Sequence, residues 1–231
     1  MKAIFTLLTS LFCIAAMAQL PTTASANLSL WLKADAGVTV NGSNEVTTWA
    51  DQSGNSRNAV NSGVTLPTLL PGAINGRPAL RFTDDRLETP LIDLTTTNAV
   101  EVFMVYKTVD NTLSLPMEFS DNVNSNATGF YISDHETGCP GCINGVTANA
   151  NGNVGYNLNA VPQPSTCFKI VNASLDKSLT TEEVKIWMNN VLQPKAPGTN
   201  NSDNTNNFGN HKLFLGRRNC ASCLPPTGSF I

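Results

Sequence analysis

The chain has 231 residues, with 14 Lys and Arg against 17 Asp and Glu, for a net charge of −3 at pH 7. Charged residues make up only 13% and form no basic cluster, which excludes an electrostatic footprint for nucleic acid or anionic lipid. Beyond the N-terminal leader, no apolar stretch is long enough to span a bilayer as a helix.

The leader reads as a signal peptide over residues 1–18. Met1-Lys2 is a short positive start, residues 3–16 are apolar, and Ala16-Met17-Ala18 is a small-x-small cleavage site. Phe12, bulky ahead of Cys13, speaks against lipid attachment. The expectation is export to the cell surface or the medium, with residues 19–231 forming one all-β domain, a size that sandwiches reach as single units. Cleavage leaves Cys139, Cys142, Cys167, Cys220 and Cys223, an odd set in a compartment that permits disulfides.

In chain order, residues 27–33 read as a first strand. Gly37 and Asn41-Gly42 read as turns, and residues 45–50 as a second strand carrying Trp49 at its end. Residues 51–59 form a polar turn in which Asp, Ser and Asn bond their own backbone. Pro71-Gly72 and Asn75-Gly76 bracket a loop that leads into a strand at 78–82. Residues 99–108 are the longest strand-forming run, apolar on both faces apart from Glu101 and Lys107, and are expected in the middle of a sheet covered on both sides. Further strands are expected at 115–119, 129–133, 143–148, 153–158, 167–175 and 183–188. Residues 178–182 are read as a short helical turn with Thr180 as its cap. Asn189-Asn190 suits a two-residue hairpin turn, because Asn tolerates the left-handed region. Residues 195–210 are a polar loop, and 212–217 a late strand. Short strands with Gly, Pro and Asn turns, and no amphipathic helix, predict a two-sheet antiparallel β-sandwich.

Three segments recur in one order: Leu30-Trp31-Leu32-Lys33-Ala34-Asp35-Ala36-Gly37-Val38, then Trp49-Ala50-Asp51-Gln52-Ser53-Gly54-Asn55, then Asn75-Gly76-Arg77-Pro78-Ala79-Leu80-Arg81-Phe82. Together they resemble the laminin-G-like, concanavalin A-like jelly-roll modules of secreted Bacteroidetes-type surface proteins. The resemblance implies a jelly roll set among further domains of a longer polypeptide. It also implies a closing strand after Leu215-Gly216-Arg217; here the sequence runs to Gly228-Ser229-Phe230-Ile231, so the expectation is a domain truncated within its last strand.

No pair of carboxylates matches the Glu-x-Asp-x-x-Glu signature of the laminarinase-like enzymes that share this fold. Glu118-Phe119-Ser120-Asp121 and Asp84-Asp85 are the nearest patterns, so catalysis is not expected. The two Cys-x-x-Cys pairs, Cys139/Cys142 and Cys220/Cys223, read first as disulfides. Zinc, with His135 or His211, thiol redox chemistry and free thiols are the alternatives. Aromatic rings can stack on a sugar face, and Trp31, Trp49, Tyr106, Tyr131 and Trp187 are candidates that double as core residues. The ligand-binding candidates are Trp49, Asp51, Asn55 and Tyr131, although the first three read first as pinning the turn after a strand. Asp84 and Asp85, with Asp93, are weak candidates for Ca²⁺, in a spacing that matches no known calcium loop. The sequence thus points to a non-catalytic module that binds a glycan or cell-surface polysaccharide, or mediates adhesion. A structural spacer is the main alternative, and a polysaccharide-processing enzyme the remoter one.

Overall fold

The computed structural model describes residues 27–61, 63, 65–110, 112–121, 128–136, 145–149, 155–157, 167–179, 182–194, 206–219 and 229–231. The leader and Cys139, Cys142, Cys220 and Cys223 lie outside them. Among the described residues no helix is long and apolar enough to cross a membrane. The first strands are β1 (Val38–Val40), β2 (Val46–Trp49), β3 (Ala59–Asn61), β4 (Thr68–Ile74), β5 (Arg77–Thr83) and β6 (Leu87–Glu88). They are followed by β7 (Ile92–Asp93), β8 (Ala99–Tyr106), β9 (Ser114–Phe119), β10 (Phe130–Glu136), β11 (Gly145–Asn149) and β12 (Gly155–Asn157). The last are β13 (Lys169–Asp176), β14 (Val184–Met188), β15 (Val191–Leu192), β16 (Asn210–His211), β17 (Leu213–Leu215) and β18 (Ser229–Phe230).

These strands make an antiparallel β-sandwich. One layer is a nine-stranded sheet in the order β1-β2-β3-β6-β17-β9-β10-β11-β12. The other contains β15-β14-β13-β8 and β18-β5-β4. β18 links these two pieces: it pairs with β5 through Phe230 and Phe82, and Phe230 also bridges Thr108 just past β8. Alternation explains the layering. Val171, Ala173 and Leu175 of β13 and Val184, Ile186 and Met188 of β14 are buried, and they face Met117, Phe119, Phe130 and Ile132 of the large sheet in one core. Phe230 stacks on Phe82 with ring centroids 4.8 Å apart and meets Tyr106 edge-on at 6.3 Å, so the short β18 is held by aromatic packing as well as by its ladder.

Four sequence expectations are corrected. Residues 27–33 are not a strand: they make only isolated bridges, Leu32 to Asp51 and Lys33 to Ala36. β8 is not covered on both faces. Tyr106 is buried, but Phe103 is 70% and Val105 59% exposed, because no element among the described residues lies over that side. The loop expected around Pro71-Gly72 is part of β4, whose pairing with β5 shifts register between Leu70 and Ile74. β4 is an edge strand, where a proline costs no ladder bond. Residues 178–179 and 182 carry no helix, and Thr180 lies outside the described residues. The Asn189-Asn190 turn has φ of 48° and 67° and joins β14 to β15 as a tight hairpin.

Candidate functional site

The sequence candidates Trp49, Asp51 and Asn55 come together at the turn after β2. Asp51 Oδ1 accepts the backbone N–H of Trp31 (3.0 Å) and of Ser53 (2.9 Å). Its Oδ2 accepts the Ser53 hydroxyl (2.7 Å) and the Arg57 N–H (3.0 Å). Burial pushes this carboxyl up, but the amides of Trp31, Ser53 and Arg57 together with the Ser53 hydroxyl outweigh it and hold the pKa below the usual carboxylate value. Trp49 donates its indole N–H to the Lys33 carbonyl at 2.8 Å, and Asn55 donates its amide to the carbonyls of Leu28 (2.8 Å) and Ser29 (3.2 Å). All three side chains therefore tie the segment ahead of β1 to this turn through hydrogen bonds to its backbone.

Tyr131 lies elsewhere, on the outer face of the large sheet. Cross-strand pairing puts it in one row with Glu118, Phe214 and Glu88. Glu118 is fully buried in that row, accepting the Ser120 hydroxyl and, at 3.0 Å, the backbone N–H of Asn219. Burial raises the Glu118 pKa against those hydrogen bonds and the charges of Arg218 and Arg86. Glu88 is taken by Lys212 at 2.7 Å. Of the other aromatic candidates, Tyr106 is buried in the core beside the Lys169–Asp134 ion pair, and Trp187 stands on the outer side of β14, paired across the hairpin with Leu192.

Asp84 and Asp85 do not converge on a common point. Asp84, with φ of 57°, faces Arg217 at 3.5 Å, while Asp85 accepts the Thr83 N–H at 2.7 Å. Among the described residues no three His, Cys, Asp or Glu side chains gather as a metal site. Asp85 instead reaches a feature that the sequence did not reveal: an open cleft of about 570 Å³ where β3, β4 and β5 meet. Its polar lining is Glu45, Asn61, Arg81, Asp85 and the threonines 65, 68 and 83, with Leu66 and Leu70 beside them. Pairing of Thr68 with Arg81 places both on one face of the β4–β5 ribbon, and the bridge from Glu45 to Thr68 brings the second carboxylate alongside. Burial raises the Asp85 pKa, the nearby Asp84 and Glu45 charges add to that rise, and the Thr83 amide and Thr65 hydroxyl oppose it. Behind Asp85, on the core side of β5, Gly216 packs closely. A Cβ there would sit 2.3 Å from the Phe82 ring and 2.4 Å from the Asp85 carbonyl oxygen, at a φ of +93°. The cleft gathers acceptors, a guanidinium and hydroxyls around a small apolar patch, which is the complement of a polyhydroxylated ligand. Only Asp85 had drawn notice in the sequence, because the other groups come from separate strands joined by a register that periodicity does not reveal.

No family model matches the chain, and no curated protein does. Among solved structures, the chain is similar to one of botulinum neurotoxin type C, described as depending on two ganglioside molecules for cell entry, with 11% identity and a TM-score of 0.47. That match covers 85% of this chain and 48% of the other, so the chain spans about half the length of that structure. It is also similar to an alginate lyase, with 13% identity, a TM-score of 0.33, and 65% and 76% of the two chains covered. An endo-1,3-beta-glucanase from Streptomyces sioyaensis gives 12% identity and a TM-score of 0.32, over 88% of this chain and 93% of the other. Likeness this distant says nothing about ligand or activity, and the assignment as an antiparallel β-sandwich rests on the strand pairing itself.

Proposed function

We propose that this chain is an exported, non-catalytic carbohydrate-binding domain of the laminin-G-like kind, and that it takes a neutral glycan in the cleft between β3, β4 and β5. The observation that carries the reading is the lining of that cleft. Glu45 and Asp85 offer acceptors to sugar hydroxyls. Arg81 is exposed, has no ion-pair partner among the described residues, and offers donors, while Leu66 and Leu70 suit the apolar face of a pyranose ring. The two carboxylates favour an uncharged sugar over a uronate, because an acidic ligand would meet like charge on either side of Arg81.

The test is a thermal melt of residues 19–231 against a glycan panel, with Ca²⁺ and with a chelator. A ligand at a hundredfold its Kd stabilises the native state by about 2.7 kcal/mol. One class of neutral oligosaccharide should raise the midpoint, and Arg81→Ala should abolish that shift without lowering the midpoint of the free protein. A cooperative melt that no sugar moves would make the domain a spacer. A second reading is hydrolysis, favoured by the juxtaposition of Glu45 with a carboxyl of raised pKa at Asp85. Release of reducing ends that stops in Asp85→Asn would establish it, and silence across the panel would retire it.

A further inference from the structure

Lys169 and Asp134 meet inside the sandwich, each reaching in from a different layer. Lys169 of β13 lies on the inward face that also carries Val171, Ala173 and Leu175, and Asp134 of β10 follows the buried Phe130 and Ile132. The Lys169 ammonium is in direct contact with Oδ2 of Asp134, and the two side chains are only 5% and 2% exposed. Tyr106 stands opposite Lys169 in the ladder between β8 and β13. Its buried ring lies 5.0 Å from the ammonium and meets Phe230 edge-on. The Tyr106 hydroxyl is beside the Asp134 carboxylate, and burial together with that charge raises the phenol pKa well above its ordinary value, so the group keeps its proton. Ser114, opposite Asp134 in the ladder between β9 and β10, is fully buried, and its hydroxyl has no hydrogen-bond partner among the described residues.

Stability alone gives little reason for such a pair. Two charges taken out of water lose more hydration than their attraction commonly returns, and apolar residues of similar volume would hold the layers at least as well. An amine and a carboxyl fixed in contact, with water kept out, are the reactants of an amide. We propose that Lys169 and Asp134 condense after folding into an isopeptide bond, which joins β13 to β10 and cross-links the two layers of the sandwich. The step needs no co-reactant. A proton passes from the Lys169 ammonium to Oδ2 of Asp134, leaving a neutral amine beside a carboxylic acid. The Nζ lone pair attacks Cγ to form the new N–C bond, and the Tyr106 hydroxyl donates a hydrogen bond to the carboxyl oxygen on which charge develops. The Cγ–Oδ2 bond then breaks, and that oxygen leaves as water with a second proton from the nitrogen. Of the three ammonium protons, two end on water and one on the amide. Two buried charges are thereby replaced by one N–H and one C=O, for which the hydroxyls of Tyr106 and Ser114 offer partners. The cross-link acts on the cohesion of the layers and is independent of what the cleft between β3, β4 and β5 binds.

The test is intact-mass spectrometry of the full exported chain, purified folded, then denatured and reduced so that cysteine pairing leaves the mass unchanged. The wild type should weigh one water less than its own sequence. Proteolysis should yield one branched peptide that carries both Lys169 and Asp134, a readout that does not depend on any variant folding. Lys169→Arg keeps a cation beside Asp134 but has no nucleophilic amine, so it should melt cooperatively and show the full sequence mass. Tyr106→Phe keeps the ring and loses the hydroxyl, and should slow the loss of water at least tenfold when the mass is followed from the start of refolding. Wild type that melts cooperatively yet holds its full mass overturns the proposal and leaves a plain ion pair. So does a loss of water that persists in Lys169→Arg, since the dehydration would then lie elsewhere in the chain.

Discussion

Replacing Asp51 by alanine tests the assignment of this carboxylate to holding the turn after β2. The side chain accepts four hydrogen bonds, three from backbone amides. The two from Ser53 are local, and water can replace them. Those from Trp31 and Arg57 connect separate segments and leave partly buried amides without an acceptor. Net values for hydrogen bonds to charged groups of about 1.5–3 kcal/mol, applied to that pair with allowance for partial exposure, give a loss of about 3 kcal/mol. For a domain of this size that lowers Tm by about 6–12 °C. The assay is urea unfolding at neutral pH, where the midpoint should fall with the slope unchanged, because the compactness of both states is preserved. The pH dependence fixes the cause. A carboxyl whose pKa is held below its ordinary value contributes stability that is present above the ordinary pKa and is lost as pH falls through the lowered one. Wild type should therefore lose this increment in acid, and Asp51→Ala should show a shallower acid limb. A variant that unfolds within about 0.5 kcal/mol of wild type yet loses glycan binding would refute the reasoning and make Asp51 a ligand residue.

Two further outcomes follow from buried groups. Gly209→Ala should cost about 2–3 kcal/mol as overpacking, because its Cβ would lie 2.2 Å from His211 Nε2 and 2.7 Å from the Thr128 hydroxyl that bonds that nitrogen. Thermal melts check it, and adding His211→Ala should return part of the loss. Lys177 is buried against Phe208, and burial lowers its pKa to about 8 despite the opposing charge of Glu183. Between pH 8 and 10.5 the unfolded chain holds a proton that the folded one lacks, so unfolding free energy should rise across that window, by at most about 3 kcal/mol. A flat urea midpoint over that range would count against a buried, depressed lysine.

Element types were legible in the sequence wherever one face alternates. The runs at 115–119, 167–175 and 183–188 became β9, β13 and β14 within a residue or two, and Asn189-Asn190 became the hairpin turn between β14 and β15. The misreadings have physical causes. β4 carries Pro71 and Gly72, which read locally as a turn, and only its place at a sheet edge with a register shift makes them compatible with a strand. β8 is apolar on both faces, the usual mark of a covered central strand. Nothing in its own residues says that, among the described residues, one of its faces stays open. The turn residues Trp49, Asp51 and Asn55 stood out because they lie close together in the sequence, in a segment of turn-forming residues. The cleft did not, because Glu45, Arg81 and Asp85 meet only through the pairing of β4 with β5 and the bridge from Glu45 to Thr68.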